Sequence, residues 1–562
     1  MPPPPRWAHL GDELPEPIVS GSSSVRHLSI DSRAYDQLMP PSLFVKATIP
    51  ALAALLIGFL LVLCSTQPPA HAAYATSGAI GTMHKSLGGN SGKLGPAVGP
   101  QRCTLIQKGC YQSFKHGSIH WTKATGAHAT LGAIRTAWKR SGWERGPLGY
   151  PTSNEYRSGS ETRQKFQNGK IVWTAKSGAK VQVTKAPSSF AIKGSGFGHG
   201  VGMSQYGARG MAAAGKSSTQ ILQHYYTGAK VTTMSKNADA SLKVQLLTGK
   251  KSVTITPRSG RLRVKAGSKT IESGSKVTIE RTSSGSVKVT VGAKSYSGSK
   301  LTIEWQGTRY WKGSSATTVS VSGAQDGATG TYRHGRIEIG QLKGSLNVVN
   351  VLGLNKEYLP GIAEMPASWQ SEALRSQAIA SRTYAYRNLG AVKPACGCNV
   401  YDEVASQRFL GWTRENAADS GPWRKAVTAT QTSSGSTVRS ACVVTYKGGL
   451  IDAVYSSSAG SKTHSAAEVW GSAVPYLVSV DDSPSKYASA QNPNASWSVT
   501  AKQSDMARAF GLADVRSVAV AKTGSGLVKT VKATSVKGKT ESLTGDQLRT
   551  KLKLKSASFS VA

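Results

Sequence analysis

The chain has 562 residues, which is too long for one hydrophobic core and predicts about three or four separately folded units. Its 69 Lys and Arg residues outnumber 29 Asp and Glu, giving a formal net charge of +40 at pH 7. Such a charge favours anionic partners, namely nucleic acid, acidic lipid or a phosphate-bearing cell wall, and does not by itself choose among them.

An apolar run near the N-terminus carries the first clear signal. Residues 44–63 are almost uninterruptedly apolar, Lys46 lies near their start, and small-x-small triplets follow up to residue 75. This pattern predicts a signal peptide over residues 39–75, with an uncleaved membrane anchor as the alternative. Residues 1–38, rich in Pro and Ser, are then a disordered extension or a mis-assigned start. The bulk of the chain is expected to be secreted or wall-associated, which argues against nucleic acid as a partner.

Residues 78–183 contain an internal duplication. Phe114 and Phe166 are separated by 52 residues, and so are Trp121 and Trp173, within similar Phe-x-x-Gly-x-Ile-x-Trp segments. A fixed period of this size is typical of repeated supersecondary units, and most of the aromatic side chains are expected to fill their cores. The pattern resembles the LGFP repeat of exported actinobacterial wall proteins, which implies a wall-binding module.

Two further regions carry regular patterns. Residues 237–305 alternate polar and apolar side chains between Ser-Gly turns, which predicts a small antiparallel β module. Residues 369–388 are rich in Ala and predict a helix that ends before Gly390, with Ser368 or Ser371 as its N-cap. Its predicted buried stripe consists of Ala373, Leu374, Ala378, Ile379 and Ala385.

Strand-like runs return over residues 427–480. The tail 499–562 mixes helix-like and strand-like patterns and is predicted to end in a helix and a strand. The predicted fold class is α+β and multidomain, with several β-rich parts.

The cysteines after the apolar run are few enough to be local staples of an exported protein. They are Cys103, Cys110, Cys396, Cys398 and Cys442. A Cys103–Cys110 disulfide would close a small loop, and Cys442 is expected to pair with Cys396 or Cys398; the pair put forward is Cys398–Cys442. A zinc site of Cys396, Cys398, Cys442 and His464 is the alternative, with weak support from the C-x-C spacing. The prediction is therefore no metal and no cofactor.

Two segments carry candidate chemistry. Glu364 stands beside Pro366 and ahead of the predicted helix, a setting in which a carboxyl could be aimed at a substrate as a general acid. Burial next to Met365, Pro366 and Trp369 would raise its pKa. Residues 198–207 place His, Ser, Gln and Tyr on a glycine-rich backbone that could approach a polar polymer closely.

Several stretches resemble the SpoIID/LytB family of peptidoglycan-processing proteins. They are residues 358–369, 372–385, 456–460 and 475–477. The resemblance extends over about residues 190–562, with the catalytic core at 335–485. It implies that Glu364 is the catalytic acid of a lytic transglycosylase. In many members the segment matching 198–207 follows the catalytic region, so here the fold must bring residues near 200 and 364 together.

The resemblance also implies substrate and partners. His199, Ser204 and Gln205 could bind the N-acetyl groups of the glycan, and Ser457 and Ser458 of the Ser-rich segment are further substrate-binding candidates. Arg382 could hold a substrate carboxylate or order the acid, with a structural salt bridge as the alternative. The implied partners are peptidoglycan glycan strands, anionic wall polymers and, from the LytB branch, an amidase.

One convincing carboxyl is enough for this reaction. Ordinary glycosidases need two carboxyls. In lytic transglycosylation the attacking group is the sugar's own C6 hydroxyl, and the product is 1,6-anhydro-muramic acid. A Ser204, His199 and Asp452 hydrolase is disfavoured because no nucleophile-elbow spacing is present, and a dinucleotide loop at 198–207 lacks an acidic ribose partner. The predicted function is cleavage of the MurNAc–GlcNAc bond in cell-wall remodelling, with sporulation, division and wall turnover as alternative settings. The alternative is a non-catalytic, wall-binding enhancer of an amidase.

Overall fold

The computed structural model describes residues 74–238, 240–323 and 330–561. The predictions for residues 1–38 and for the export signal lie outside these ranges, apart from the last two residues of the signal. Within the described ranges no helix is both long and apolar enough to cross a bilayer.

Helices and several separate sheets make up the described chain, which confirms the α+β, multidomain class. The N-terminal part consists of α1 Gly78–Ser86, β1 Cys110–Phe114, β2 Gly117–Thr122, β3 Gly126–Leu131, α2 Gly132–Arg140, β4 Tyr156–Ser158, β5 Glu161–Phe166, β6 Gly169–Thr174 and β7 Gly178–Val183. Strands β1–β3 form one antiparallel sheet and β4–β7 another. Phe114 ends β1 and Phe166 ends β5, and both side chains are buried in their own cores. The duplication in the sequence therefore corresponds to two successive helix-and-sheet units.

Next come two short helices and a long series of strands. These elements are β8 Ser189–Gly194, β9 Met203–Ser204, α3 Gln205–Ala213, α4 Ser218–Tyr225, β10 Lys230–Met234, β11 Ser241–Lys250, β12 Ser252–Pro257, β13 Leu262–Ala266, β14 Lys269–Ser273, β15 Val277–Arg281, β16 Val287–Val291, β17 Lys294–Gly298, β18 Lys300–Trp305, β19 Val319–Val321, β20 Thr331–Tyr332, β21 Arg336–Leu342 and β22 Ser345–Gly353.

The strands predicted over 237–305 are present, but they do not form a module of their own. One sheet has the order β17-β16-β15-β12-β19-β20. The other contains β14, β13, β18, β21, β22 and β11 in that order, so β18 pairs with β21 and β11 with β22. Strands from the expected β module and from the expected catalytic core thus share a sheet. Their side chains, such as Leu242, Ile303 and Ile337, belong to one hydrophobic core together with Leu374.

The remaining elements complete the fold. They are α5 Ser371–Leu389, β23 Val400–Tyr401, α6 Trp412–Glu415, α7 Gly421–Ala429, β24 Gln431–Ser434, β25 Thr437–Tyr446, β26 Gly449–Leu450, β27 Tyr455–Ser456, α8 Ala466–Trp470, β28 Trp497–Lys502, α9 Gln503–Phe510, β29 Ser517–Lys522, β30 Val528–Thr534, β31 Thr540–Thr544, α10 Gly545–Leu552 and β32 Phe559–Val561. The tail ends in α10 and β32, the predicted helix and strand. Strand β8 lies between β28 and β32, which ties the segment near residue 190 to the C-terminal part.

Helix α5 occupies the predicted place with two differences. Its N-cap is Gln370, whose side chain makes no capping hydrogen bond, so the prediction of Ser368 or Ser371 was wrong; Ser371 is the first helical residue. All five residues of the predicted stripe are buried. The buried surface is wider than the stripe, because the helix is enclosed by other elements, and it includes the polar residues Ser376, Gln377, Ser381, Arg382 and Thr383.

The disulfides differ from the prediction at one place. Cys103 is joined to Cys110, as expected, but Cys396 is joined to Cys398, and Cys442 is a free thiol. The predicted Cys398–Cys442 bond was therefore wrong. Cys396 and Cys398 pack in a small cluster with valines of β22. Cys442 lies on β25, in a different sheet, where it packs against the main core.

The alternative zinc set is not assembled either. Two of its four members are bonded to each other, and His464 lies elsewhere with both ring nitrogens engaged by hydroxyls. Its Nδ1 is 2.7 Å from Ser525 Oγ, and its Nε2 is 2.8 Å from Ser558 Oγ. Among the residues that the structure describes, no group of three or more His, Cys, Asp or Glu is placed to hold a metal ion.

Candidate active site

Glu364 lies in a turn between the short helical turn Leu359–Gly361 and α5, and a neighbouring segment fixes this turn. The backbone N–H of Ala363 donates to the carbonyl of Arg408 at 2.9 Å, and that of Leu410 donates to the carbonyl of Gly361 at 2.9 Å. Between these two bonds, the backbone N–H of Arg408 donates to Glu364 Oε1 at 2.6 Å. The turn is thus held by main-chain contacts on both sides of Glu364, and one main-chain N–H reaches the carboxyl itself.

A chain of polar side chains reaches the same carboxyl. Tyr358 donates its hydroxyl proton to Gln407 Oε1 at 3.1 Å, and Gln407 Nε2 donates to the Tyr455 hydroxyl oxygen at 3.1 Å. The Tyr455 hydroxyl in turn hydrogen-bonds Glu364. Because the Tyr455 hydroxyl oxygen accepts a hydrogen bond from Gln407, its own O–H is free to donate to the Glu364 carboxylate.

The surroundings of Glu364 favour its neutral form. Burial raises the pKa of Glu364 above its usual range; the N–H of Arg408, the Tyr455 hydroxyl and the Arg408 guanidinium charge oppose part of this shift. Met365 and Trp369 are buried as expected, but Pro366 is exposed and contributes no burial. Glu364 is nevertheless partly accessible as a residue.

The glycine-rich segment and Glu364 do meet. Gln205, the first residue of α3, donates from Nε2 to the backbone carbonyl of Glu364 at 3.0 Å, and the same nitrogen lies 3.3 Å from Gln377 Oε1. Strand β9 pairs in parallel with β27, which carries Tyr455. Gln205 is therefore placed to position the Glu364 turn, and its amide is engaged by the protein instead of facing a glycan.

The glycines of residues 198–207 serve packing within the chain. Gly200 and Gly202 have φ angles of +71° and +72°, which residues other than glycine rarely adopt. A Cβ on Gly202 would lie 2.1 Å from the carbonyl oxygen of Val454, and one on Gly200 would lie 2.7 Å from the ring of His464. The close approach predicted for a polymer is thus made to the chain's own residues.

Two serines predicted to bind substrate have structural roles. Ser204 is fully buried, and its Oγ accepts from the N–H of Gly207 at 3.1 Å, which caps α3. Ser458 is also buried and accepts from Asn492 Nδ2 at 2.9 Å. Ser457 is partly accessible, with Asn494 Nδ2 at 3.5 Å from its Oγ. Of the three serines, Ser457 alone keeps a surface that a ligand could reach.

His199 supports Tyr455 and does not face solvent freely. Its Nδ1 accepts from the N–H of Val201 at 3.0 Å, and its ring packs 5.4 Å from the ring of Trp470. Its other nitrogen hydrogen-bonds the Tyr455 backbone carbonyl; burial, then the neighbouring His464, lowers the pKa of His199 to about 4. A neutral ring with its proton on Nε2 fits both bonds. The residue therefore orients β27 near the acid.

Arg382 is fully buried and hydrogen-bonded within the protein, and among the described residues its guanidinium forms no salt bridge. Its Nε donates to Asn355 Oδ1 at 2.6 Å, and its Nη1 donates to Thr430 Oγ1 at 2.9 Å and to the carbonyl of Cys442 at 3.1 Å. Its Nη2 donates to the carbonyl of Val427 at 3.1 Å. Burial lowers the pKa of Arg382 to about 10, which leaves it charged at neutral pH. The substrate role predicted for Arg382 was wrong, because the side chain is fully enclosed.

Other carboxylates near this region have structural partners. Asp452 pairs with Arg387 at 3.4 Å, Glu468 belongs to the capping box of α8, and Asp482 accepts the Tyr225 hydroxyl at 2.8 Å. Each of these three carboxylates is therefore engaged by other groups of the protein.

Sequence reasoning missed Gln407, Arg408 and Tyr455. The first two lie in an irregular segment between β23 and α6, where no periodic pattern points to a site. Tyr455 directly precedes the Ser-rich residues 456–460, so that motif was the signal from which it could have been found.

Comparison with known proteins identifies two kinds of unit in this chain. Residues 342–435 match the family described as Stage II sporulation protein (SpoIID), and residues 94–146 and 148–186 match the LGFP repeat. The chain carries a SpoIID domain and LGFP repeats. The matched part of the SpoIID domain includes Glu364, Gln407 and Arg408, whereas the glycine-rich segment and Tyr455 lie outside it.

Individual relatives agree with this identification. The chain is 35% identical over 137 residues to the amidase enhancer of Bacillus subtilis, an alignment that covers 24% of this chain and 16% of the relative. It is 29% identical over 260 residues to the stage II sporulation protein D of Bacillus subtilis, covering 44% of this chain and 71% of the relative. The corresponding protein of Bacillus amyloliquefaciens is 28% identical over 245 residues, covering 42% and 67%. The SpoIID part is thus aligned to most of the sporulation proteins but to a small fraction of the amidase enhancer.

Proposed function

We propose that this protein is an exported cell-wall enzyme that cleaves the MurNAc–GlcNAc bond of peptidoglycan by lytic transglycosylation, with Glu364 as the catalytic acid. The observation that carries the proposal is a carboxyl in a partly accessible residue, whose pKa is raised by burial and which accepts a hydrogen bond from the main-chain N–H of Arg408. The SpoIID domain, the LGFP repeats and the sporulation relatives support a role at the wall in sporulation.

One carboxyl suffices for the whole cycle. Protonated Glu364 gives its proton to the glycosidic oxygen as the bond from C1 of muramic acid breaks, which releases the GlcNAc hydroxyl. The resulting carboxylate takes the proton of the C6 hydroxyl while the C6 oxygen bonds to C1. This attack is intramolecular and needs no activated water. The Arg408 N–H and the Tyr455 hydroxyl would stabilise the carboxylate between the two steps.

The wall setting is supported by charge as well as by the repeats. The net charge of +40 favours binding to anionic wall polymers, an attraction that salt would screen. In this proposal the repeats and the basic surface concentrate the enzyme on its polymer, and the SpoIID part cleaves it.

The product decides the reaction class. Purified protein incubated with purified glycan strands, with and without stem peptides, is expected to release fragments ending in 1,6-anhydro-muramic acid, detected by mass spectrometry. Fragments with ordinary reducing ends would instead indicate hydrolysis and contradict the transglycosylase assignment.

The similarity to the amidase enhancer supports a second candidate, a non-catalytic protein that stimulates an amidase. The discriminating experiment adds a purified wall amidase to the same strands. Faster peptide release in the presence of the protein, with no anhydro ends of its own making, would favour the enhancer.

The rate of cleavage is expected to fall as the pH rises through the raised pKa of Glu364. The sign follows from the mechanism, because the reaction starts from the protonated acid and burial keeps the proton on Glu364 to a higher pH than usual. The measurement is kcat/KM for anhydro product against pH, with wall binding followed in parallel by co-sedimentation. An activity that instead rises through neutral pH at constant binding would contradict the role of Glu364 as an acid.

A further inference from the structure

The two repeat units at the N-terminal end of the described chain share one internal architecture. Gln112 of β1 and Gln164 of β5 hold equivalent places 52 residues apart, and each donates from Nε2 to two backbone carbonyls. The strand register is also the same, so the positions of β1–β3 have counterparts in β5–β7. A difference between the two sheets can therefore be assigned to the residues that stand at equivalent positions.

In the first unit, one face of the sheet is covered by the second unit. His120 alternates with core residues of β2 and so lies on the face opposite the unit's own core. Its ring contacts those of Trp138 and Trp143 of the second unit, at centroid distances of 4.7 and 6.0 Å. On the same face, Arg135 Nε of α2 donates to Ser118 Oγ at 2.9 Å. This face is therefore the interface between the two units.

The corresponding face of the second unit is accessible and basic. This basic face consists of Arg163, Lys165, Lys170, Val172, Lys180 and Gln182. None of their counterparts in the first unit is Lys or Arg; Lys170, for example, stands where the first unit has Ser118. Lys165, Lys180 and Gln182 are exposed, and Arg163 and Lys170 are half-buried. Cations thus occupy the face that serves in the first unit as an interface.

The charges of the basic face are balanced only in part. Four cations share the face with the carboxylate of Glu161, which pairs with Arg163 at 2.6 Å. Lys165 and Lys170 stand directly opposite each other on neighbouring strands, an arrangement that destabilises a sheet unless an anion lies between the charges. Neighbouring strands are about 5 Å apart, and alternate residues of one strand are about 7 Å apart. Cations repeated at such spacings match a polymer with repeated negative charges better than a single small anion.

We propose that the basic face of the second repeat unit binds a wall polymer with repeating phosphodiester groups. Three of its four cations are lysines, whose ammonium groups bind phosphate as point charges, without the fork that arginine offers to a carboxylate. The inference rests on the wall location in the proposed function and is independent of glycan cleavage.

A second copy of the chain is a poorer occupant of the basic face. Its first unit would have to dock as the second unit docks on the first. Helices α1 and α2 align with an offset of 54 residues, which places Gly81 at the position of Arg135 and Gly89 at that of Trp143. The first unit therefore lacks two of the side chains that make the interface between units.

The first test compares walls with and without phosphodiester polymers. The full chain is co-sedimented with purified walls, and with the same walls after hydrofluoric acid has cleaved their phosphodiesters. Wild-type protein is expected to bind the untreated walls at least about 10-fold more tightly, and salt should reduce the difference. The triple variant Lys165→Gln, Lys170→Gln and Lys180→Gln should lose this preference. Equal binding of both walls by wild type, or an unchanged preference in the triple variant, would overturn the inference.

A matched control removes the same charge elsewhere in the repeats. The exposed residues suited to it are Lys85, Lys123 and Lys139. Their combined substitution by Gln should leave the preference for untreated walls as in wild type. An equal loss in the control would mean that overall charge, and not the basic face, is responsible, and would overturn the inference.

A footprint on the wild-type protein needs no variant. Acetylation of lysines is followed by mass spectrometry with poly(glycerol phosphate), with polyglutamate as a carboxylate polyanion, and without polymer. Lys165, Lys170 and Lys180 should be protected by the phosphate polymer and much less by polyglutamate. Equal protection by both polymers, or protection confined to other lysines, would overturn the inference. So would protection that rises with protein concentration in the absence of polymer, because a second copy would then occupy the face.

Cleavage is measured separately on soluble peptide-free strands, which carry no phosphodiester polymer. The triple variant is expected to release anhydro products at the wild-type rate, because the basic face lies outside the SpoIID part. Absence of anhydro products from wild type would overturn the proposed cleavage and leave the binding result standing. Loss of the preference for untreated walls with normal cleavage would confirm that the two properties belong to different parts of the chain.

Discussion

Glu364→Gln is expected to lower the formation of anhydro-muramyl product by about 10²- to 10⁴-fold, the usual contribution of a general acid. Glutamine has nearly the same shape, and its Oε1 can still accept from the Arg408 N–H that now contacts the carboxylate at 2.6 Å. It cannot deliver a proton to the glycosidic oxygen or accept one from the C6 hydroxyl. Both halves of the cycle are therefore lost while the Glu364 turn is kept. The measurement is mass spectrometry of fragments from peptide-free strands.

The variant also has a stability signature that separates chemistry from folding. A buried carboxyl with a raised pKa binds its proton more tightly in the folded than in the unfolded chain, so its contribution to stability falls as pH rises from its ordinary pKa through the raised one. Glutamine stays neutral, and Glu364→Gln should be at least as stable as wild type at neutral pH. Asp419→Asn, which alters an exposed carboxylate of the same domain, is the matched control and should leave the rate unchanged. Full activity of Glu364→Gln would exclude Glu364 as the acid.

Local patterns predicted the elements well because they depend on neighbouring residues. The Ala-rich run became α5, and the alternating runs became β11, β12 and β16. The pairing of strands depends on residues far apart in the chain, so β11 with β22 and β18 with β21 could not be foreseen, and the β module was expected to be separate. The same reason explains the disulfide error, because nothing in the sequence indicates that Cys442 lies on β25 while Cys398 packs against β22 of another sheet.

The acid could be predicted but its environment could not. Glu364 stands in a recognisable local sequence, whereas Gln205 lies 159 residues and Arg408 lies 44 residues away from it. Polar residues were assigned to the substrate because polarity in a motif suggests binding. Ser204 shows the limit of that reasoning, since its hydroxyl caps a helix that begins at the next residue. Burial separates these two uses of a polar side chain, and burial is a property of the folded chain.

Arg382→Met is expected to be the most destabilising of the substitutions considered, by about 3–5 kcal/mol. The buried guanidinium joins α5 to the carbonyl of Val427 at the end of α7, to that of Cys442 on β25, and to the side chains of Asn355 and Thr430. Methionine fills much of the same volume but offers no donor, so each of these acceptors loses a buried hydrogen bond.

Because the chain has several units, a single unfolding curve would mix their transitions, and the suitable measurement is hydrogen exchange of peptides from α5, α7 and β25. The matched control is Arg387→Met on the same helix, whose side chain is 53% exposed and pairs with Asp452 at 3.4 Å; it should change stability by less than about 0.5 kcal/mol. If Arg382 has a structural role, the Arg382→Met variant should show faster exchange in all three elements. Its activity should then fall in proportion to the loss of folded protein. Unchanged exchange together with weaker binding of glycan would instead support a substrate-binding role for Arg382. We do not expect this outcome, because its guanidinium is enclosed by the protein.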